Sequence, residues 1–203
     1  MKQLMGWVLG LGLSGMVHAG AGLDALNGFL ADLRSLEAGF EQTVLDTENN
    51  RTGSYQGVFF LQRPGRFRWD YLSPYEQAII ADGDYVWVID DLDQVTQQGQ
   101  ERALRGTPAL LLVGEEPVDK HFEAVEIGKH LGMQWIELIP KDEEGHFERI
   151  QMAFSDGQLN RMEMRDRYGQ ITRFRFFDLK RNHALASELF TYEPEDGDDI
   201  YVH

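Results

Sequence analysis

Short runs in which apolar and polar residues alternate recur along most of the chain. In residues 66–71, the side chains of Phe67, Trp69 and Tyr71 alternate with charged residues. Because successive side chains of a β-strand point to opposite faces, this pattern predicts a strand with one aromatic face and one charged face. Turn pairs such as Pro64-Gly65 separate the runs and favour hairpins. We predict strands near 36–46, 53–63, 66–72, 76–82, 85–90, 93–98, 120–128, 132–139, 146–155, 158–166 and 170–180.

Two segments break this rhythm with helical spacing. Leucine and phenylalanine recur every three or four residues over 22–36, which predicts an amphipathic helix. Residues 107–113 are almost wholly apolar; Thr107 is a suitable N-cap, Pro108 a suitable first residue and Gly114 a stop. A helix of this composition must pack against other apolar groups, because exposing its side chains to water is unfavourable.

These elements predict a mainly β protein with about 10–11 antiparallel strands and a few short helices. A single sheet of that size must curl, so we expect the helices 22–36 and 107–113 to pack on its concave side. A helical turn near 184–189 is a weaker prediction, and the acidic tail 193–203 is expected to be loose. With no linker or repeat, residues 20–203 are expected to form one domain.

The first residues resemble an export signal. Lys2 precedes an apolar stretch, Leu4 to Val17, which is too short to span a bilayer. Small residues around Ala19 fit cleavage after that residue, and Ala21 is a second candidate. We therefore expect residues 1–19 to be a signal peptide that is removed on export, which would place the mature protein in the periplasm.

Composition narrows the functional classes. The 19 basic and 34 acidic residues give a net charge of −15, and loss of Lys2 with the signal would make it −16. Such a surface repels nucleic acid and anionic headgroups. There is no cysteine, so neither a disulfide nor a lipid anchor on cysteine is available. The sequence contains no catalytic motif, and its histidines are not spaced as metal ligands. We therefore expect that the protein is not an enzyme and binds neither a metal nor a cofactor.

The apolar strand faces leave two interpretations open. Met162 and Met164 alternate with charged residues, as Phe174 and Phe176 do. Such a face is typical of the core of an ordinary sheet. It also suits an oversized cavity, since methionine adapts to variable ligands. Periodicity alone does not decide between them.

A run centred on residue 63 resembles the LolA family of periplasmic outer-membrane lipoprotein carriers. The resemblance is most specific in residues 61–69, Leu-Gln-Arg-Pro-Gly-Arg-Phe-Arg-Trp, and the preceding Gly57-Val58-Phe59-Phe60 supports it. It covers most of the mature chain in order and is weakest over 115–150. The supporting matches are Phe40-Glu41-Gln42, Pro74, Gln77, Asp82-Gly83, Val86-Trp87, Asp93-Gln94-Val95, Thr107-Pro108, Ser187 and Leu189-Phe190.

The resemblance implies an unclosed antiparallel half-barrel with a helical lid over an apolar cavity. Its cargo would be acylated lipoproteins, taken from an inner-membrane ABC-type release complex and handed to an outer-membrane receptor lipoprotein of similar fold. Because that receptor is anchored through cysteine, this chain resembles the carrier, and we expect a monomer. The residues that we expect to line the cavity are Phe59, Leu61, Phe67, Trp69, Trp87, Leu110, Met164, Phe174 and Phe176.

Arg63 is the residue to which the resemblance assigns a special role. It shares a face with Phe59 and Leu61, where a guanidinium needs acceptors. The resemblance implies that Arg63 holds the lid through hydrogen bonds to its backbone. If the resemblance is set aside, the expectation is that Arg63, at the end of a strand, simply reaches water.

Two other functions stay open at this point. One is a protein of related fold that binds a lipid or a lipoprotein signal without transporting it. The other is a β-rich binding or structural protein whose core is filled.

Overall fold

The computed structural model describes residues 20–90, 92, 94–194 and 199–202. The signal peptide expected at 1–19 lies outside the described residues. Four α-helices, twelve strands and one 3-10 helix are found in the described part of the chain. They are α1 (Ala21–Ala31), β1 (Ser35–Leu45), β2 (Arg51–Gln62), β3 (Arg66–Ser73), β4 (Gln77–Ala81), β5 (Tyr85–Asp90), β6 (Gln94–Gly99), α2 (Gln100–Leu104), α3 (Pro108–Val113), α4 (Val118–His121), β7 (Phe122–His130), β8 (Met133–Pro140), β9 (Phe147–Ser155), β10 (Gln158–Asp166), β11 (Ile171–Arg181), the 3-10 helix (Ser187–Phe190) and β12 (Asp199–Val202).

All twelve strands form one sheet in the order β12-β6-β5-β4-β3-β2-β1-β11-β10-β9-β8-β7. Neighbouring strands are antiparallel except β12 and β6, which are parallel. The strands at the two ends, β12 and β7, are not paired with each other, so the sheet is unclosed. The predicted mainly β architecture is confirmed.

The two faces of the sheet differ as the alternation predicts. We call the face that bears Phe40, Phe59 and Phe174 the inner face. It packs with α1 through Leu26 and Phe29, and with α3. On the opposite, outer face, Arg175 pairs with Glu41 and other charged side chains meet water. The helices therefore form a lid over the apolar side of the sheet.

Helix α3 is formed as its sequence predicts. Thr107 accepts a hydrogen bond from the backbone N–H of Leu110, Pro108 is the first helical residue, and Gly114 follows the last turn. Leu111, Leu112 and Val113 are buried, as are the inner-face residues beneath them. A short apolar helix is stable here because tertiary burial compensates for its lack of length.

Helix α1 is shorter than the 22–36 predicted. It ends at Ala31, and Leu36 already belongs to β1, where it shares the inner face with Phe40. Backbone groups after the helix bind distant side chains: Asn182 Nδ2 donates to Asp32 O at 2.7 Å and its Oδ1 accepts from Arg34 N at 2.8 Å. These bonds to Asn182 take the place of further helical hydrogen bonds. The spacing of the leucines could not reveal them, because Asn182 is distant in the sequence.

The carboxyl-terminal region is more ordered than its acidic composition suggests. The prediction of a loose tail is wrong for Asp199–Val202, which pairs with β6 as a twelfth strand. The helical turn expected near 184–189 is present as the 3-10 helix at Ser187–Phe190. Nearby, Tyr192 packs on a small outer-face cluster of Ile80, Trp87 and Val95. Among the described helices, none is long and apolar enough to cross a membrane.

Candidate functional site

An aromatic cluster occupies the middle of the inner face. The ring of Trp69 lies 4.7 Å from that of Phe59, 4.9 Å from Phe40 and 5.1 Å from Phe174, measured between centroids. Phe174 and Phe176 are stacked at 6.0 Å. The strands β1, β2, β3 and β11 are adjacent in the sheet, so their alternate residues meet here.

The structure brings together eight of the nine residues expected to line a cavity. Phe59 and Leu61 are 2% and 0% exposed, and the lid shields them from solvent. Met164 and Leu110 are partly buried and pack at the margin of the same cluster. The eight are Phe59, Leu61, Phe67, Trp69, Leu110, Met164, Phe174 and Phe176.

The expectation that Trp87 lines the inner face is wrong. In the register of β4 and β5, Trp87 lies opposite Ile80, while Val86 lies opposite Ala81. Val86 and Ala81 belong to the inner core, whereas Trp87 and Ile80 pack with Tyr192 on the outer face. Because Val86 and Trp87 are both apolar, alternation alone could not assign their faces.

Arg63 connects two lid helices to the end of β2. Its Nε donates to the carbonyl of Leu112 at 2.8 Å and its Nη2 to that of Leu111 at 3.1 Å, both in α3. Its Nη1 donates to the carbonyl of Leu30 in α1 at 3.1 Å. One side chain thus binds three carbonyls in the last turns of two helices, where carbonyls lack the usual i+4 partners; Leu30 O also accepts from Leu33 N at 3.3 Å.

The environment of Arg63 keeps it charged. Burial lowers the pKa of its guanidinium, and the carboxylate of Glu115 opposes this by raising it. Arginine remains protonated far above neutral pH, so the three hydrogen bonds are charge-assisted. Beside it, a cleft of about 890 Å³ runs between the end of α1 and the loop 114–118.

The turn that follows Arg63 makes further lid contacts that the sequence did not reveal. Gly65 N donates to Val113 O at 3.1 Å. The buried Gln100, in α2, donates from Nε2 to Gly65 O at 2.7 Å and accepts from Gly83 N at 3.1 Å. Each of α1, α2 and α3 is therefore hydrogen-bonded to residues 63–65.

Two other residues of the site were missed. Phe40 is fully buried at the centre of the aromatic cluster; its place in the alternation of β1 with Leu36 could have identified it. Arg181 donates from Nη2 to Phe29 O at 2.7 Å and lies 4.8 Å above the Phe29 ring. No local signal identifies Arg181, because β11 and α1 are distant in sequence.

The chemistry available at this site is the burial of apolar surface. In residues 20–90, 92, 94–194 and 199–202, no group of three or more His, Cys, Asp or Glu side chains could hold a metal ion. The inner face instead offers aromatic rings and aliphatic side chains under helices that hydrogen bonds hold in place. Such an arrangement can enclose hydrocarbon chains if the helices move aside.

Comparisons of the sequence with a family model and with individual relatives agree on one family. The sequence model described as "Outer membrane lipoprotein carrier protein LolA" matches residues 31–193. An outer-membrane lipoprotein carrier protein of Nitrosospira multiformis is 40% identical over 185 residues, covering 90% of this chain and 89% of the relative. One from Methylococcus capsulatus is 41% identical over 177 residues, covering 87% and 85%.

Solved structures share the fold at low sequence identity. A protein of the DUF1329 family from Desulfovibrio piger superposes with a TM-score of 0.52 at 10% identity, covering 85% of this chain and 96% of that one. At this identity the likeness extends to the fold alone.

Proposed function

Since the chain belongs to the LolA family of outer membrane lipoprotein carrier proteins, we propose that it carries acylated lipoproteins through the periplasm. It accepts them from an inner-membrane ABC-type release complex and delivers them to an outer-membrane receptor lipoprotein of similar fold. It acts as a monomer that needs no cofactor and performs no catalytic step. Cleavage after Ala19 releases it into the periplasm.

The physical need for a carrier follows from the cost of exposing hydrocarbon. Each exposed methylene costs about 0.8 kcal/mol, so two or three acyl chains cost on the order of 20 kcal/mol or more in water. The inner-face cluster around Phe59, Trp69 and Phe174 offers the matching apolar surface. Loading requires the lid to leave that surface, since the lid helices and the inner face bury each other.

The observation that carries the proposal is the set of three hydrogen bonds from Arg63 to the carbonyls of Leu30, Leu111 and Leu112. Hydrogen bonds to a charged donor contribute about 1.5–3 kcal/mol each. Loading breaks them and release re-forms them, so they favour the empty, closed state. A bias of several kcal/mol is enough to shift a two-state equilibrium almost completely, which allows cargo to be given up.

The test measures loading and delivery separately. Purified protein is mixed with inner-membrane vesicles that contain a labelled lipoprotein and the release complex, and the loaded protein is then offered to outer-membrane vesicles. We expect the wild type to extract the label and transfer it. A protein that binds a lipid or a lipoprotein signal without transporting it would leave the label in the first vesicles.

Arg63→Leu removes the clasp and adds apolar surface. We expect it to load as well as the wild type or better, and to transfer less. Arg63→Lys should be intermediate, because lysine keeps the charge but loses the planar fork. Arg66→Leu is the matched control, since Arg66 is exposed. If Arg63→Leu loads poorly yet delivers efficiently what it has loaded, Arg63 captures cargo and does not clasp the lid.

A further inference from the structure

The three tryptophans of the described residues differ in what their indole N–H groups bind. Trp87 Nε1 donates to Asp82 Oδ2 at 2.7 Å, and Trp135 Nε1 donates to His130 O at 3.2 Å. Trp69 Nε1 is buried and has no hydrogen-bond partner within the described part of the chain. Buried tryptophan N–H groups usually find an acceptor, so the unpaired donor at Trp69 needs an explanation.

Among the described residues, the nearest neighbours of Trp69 do not accept from this donor. The rings nearest to it, Phe59, Phe40 and Phe174, lie with centroids within 5.1 Å and carry no acceptor atom. The hydroxyl of the neighbouring Tyr71 donates to Gln42 Oε1 at 2.8 Å and does not accept from the indole. Phenylalanine would provide aromatic surface here without leaving a buried donor unpaired, which is unfavourable. The unpaired N–H is therefore unfavourable in this conformation.

We propose that the indole N–H of Trp69 donates a hydrogen bond to the ester or amide carbonyl at the head of a bound acyl chain. This inference rests on the proposed carrier function and names the chemical group that the site recognises. An acyl chain is hydrocarbon apart from that carbonyl, and Trp69 presents one donor within an otherwise apolar cluster. The bond fixes how far the chain enters beneath the lid and distinguishes acyl chains from plain alkyl chains.

The experiment compares two probes that differ in the carbonyl. One is a monoacylglycerol with a hexadecanoyl ester, and the other is the glyceryl ether with a hexadecyl chain, in which a methylene replaces the carbonyl. Displacement of a fluorescent apolar dye from the purified protein gives the affinity of each. We expect the wild type to prefer the ester by about twofold to tenfold, the range for one neutral hydrogen bond.

Trp69→Phe should reduce this preference to about one, because the ratio of the two affinities depends on the indole donor and not on the aromatic surface that both chains contact. Trp87→Phe is the matched control: it removes an indole N–H that is already bonded to Asp82, and the ester preference should not change. The Trp69 variant should also be at least as stable as the wild type, because it loses an unpaired buried donor.

A second readout does not depend on the variant folding. In the wild type, the Trp69 indole N–H resonance should move downfield on addition of the ester and much less with the ether. Equal wild-type affinities for the two probes, or equal shifts, would overturn the assignment of the donor while leaving a site that binds acyl chains. Failure of both probes to displace the dye would instead contradict the proposed carrier function.

Discussion

At the scale of single residues, Asp82 shows how one carboxylate organises a turn of the sheet. Its Oδ1 accepts from the backbone N–H groups of Asp84 at 2.8 Å and Tyr85 at 2.7 Å, and its Oδ2 accepts from Trp87 Nε1 at 2.7 Å. Burial raises the pKa of Asp82, but these hydrogen bonds outweigh it and the net pKa is lowered. Ionised Asp82 therefore binds the Trp87 indole more strongly than protonated Asp82 would.

This lowered pKa predicts a pH dependence of stability. A carboxylate whose pKa is lower in the folded state stabilises the folded protein at pH values above the pKa that it has in the unfolded chain, which is near 4. This contribution is lost as the pH falls through the lowered pKa of the folded state. We expect Asp82→Asn to reduce the free energy of unfolding at pH 7 by about 1 kcal/mol, because the amide cannot accept all three bonds. The difference from wild type should shrink towards pH 2.

Urea unfolding at a series of pH values measures this effect. Asp84→Asn serves as the control, because the Asp84 side chain is exposed and should show a much smaller difference. A deficit of Asp82→Asn that stays constant from pH 7 to pH 2 would contradict the role of ionised Asp82.

At the scale of elements, α1 depends on tertiary contacts at both ends. It has 11 residues and no side-chain N-cap at Gly20, and isolated helices of this length are marginal. Glu126, on β7, accepts from the backbone N–H groups of Gly22 at 2.9 Å and Leu23 at 2.8 Å. Arg181 binds a carbonyl near the other end. The lid helix is thus fixed to both β7 and β11.

We expect Glu126→Gln to lower the free energy of unfolding by about 1 kcal/mol, because it removes the negative charge and one acceptor at the amino terminus of α1. Amide exchange in α1 should accelerate more than in β1, and chemical denaturation gives the total loss. Glu123→Gln, an exposed change on the same strand, is the control. Exchange in α1 that is unaffected by Glu126→Gln would show that packing alone holds the helix.

At the scale of the whole molecule, charge and apolar surface are kept on opposite faces of the sheet. The outer face carries exposed ion pairs such as Arg175 with Glu41 and Arg173 with Glu163, which contribute little to stability individually. The chain as a whole is strongly acidic, with a net charge of −15. A chain built this way keeps its apolar inner face covered, and its outer surface is repelled by anionic headgroups.

We therefore expect the empty protein to remain in the supernatant when it is sedimented with anionic vesicles, at both ordinary and low salt, and to sediment alone as a monomer. Neutral vesicles of the same size are the comparison. Lower salt should weaken any residual association, since it strengthens the repulsion. Stronger association with anionic than with neutral vesicles would contradict this account of the surface.

Local sequence patterns determined most of the architecture. The alternation of Phe67 and Trp69 with charged residues assigned β3 its inner face, and Thr107, Pro108 and Gly114 determined where α3 begins and ends. These signals succeed because strand alternation and helix capping depend on a few consecutive residues. The run of residues 61–69, with supporting matches along the chain, indicated the family that the comparisons show.

Tertiary structure decided what depends on partners distant in the chain. The face of Trp87 follows from its register with Ile80, and α1 ends where Asn182 takes over its backbone groups. Likewise, β12 exists because β6 offers a free edge. The sequence by itself determined which residues are apolar and how they alternate. Only the folded chain decided that the guanidinium of Arg63 finds three acceptors, whereas the indole N–H of Trp69 finds none among the described residues. The physical reason is that strand pairing and packing bring together neighbours that are many residues apart in the chain.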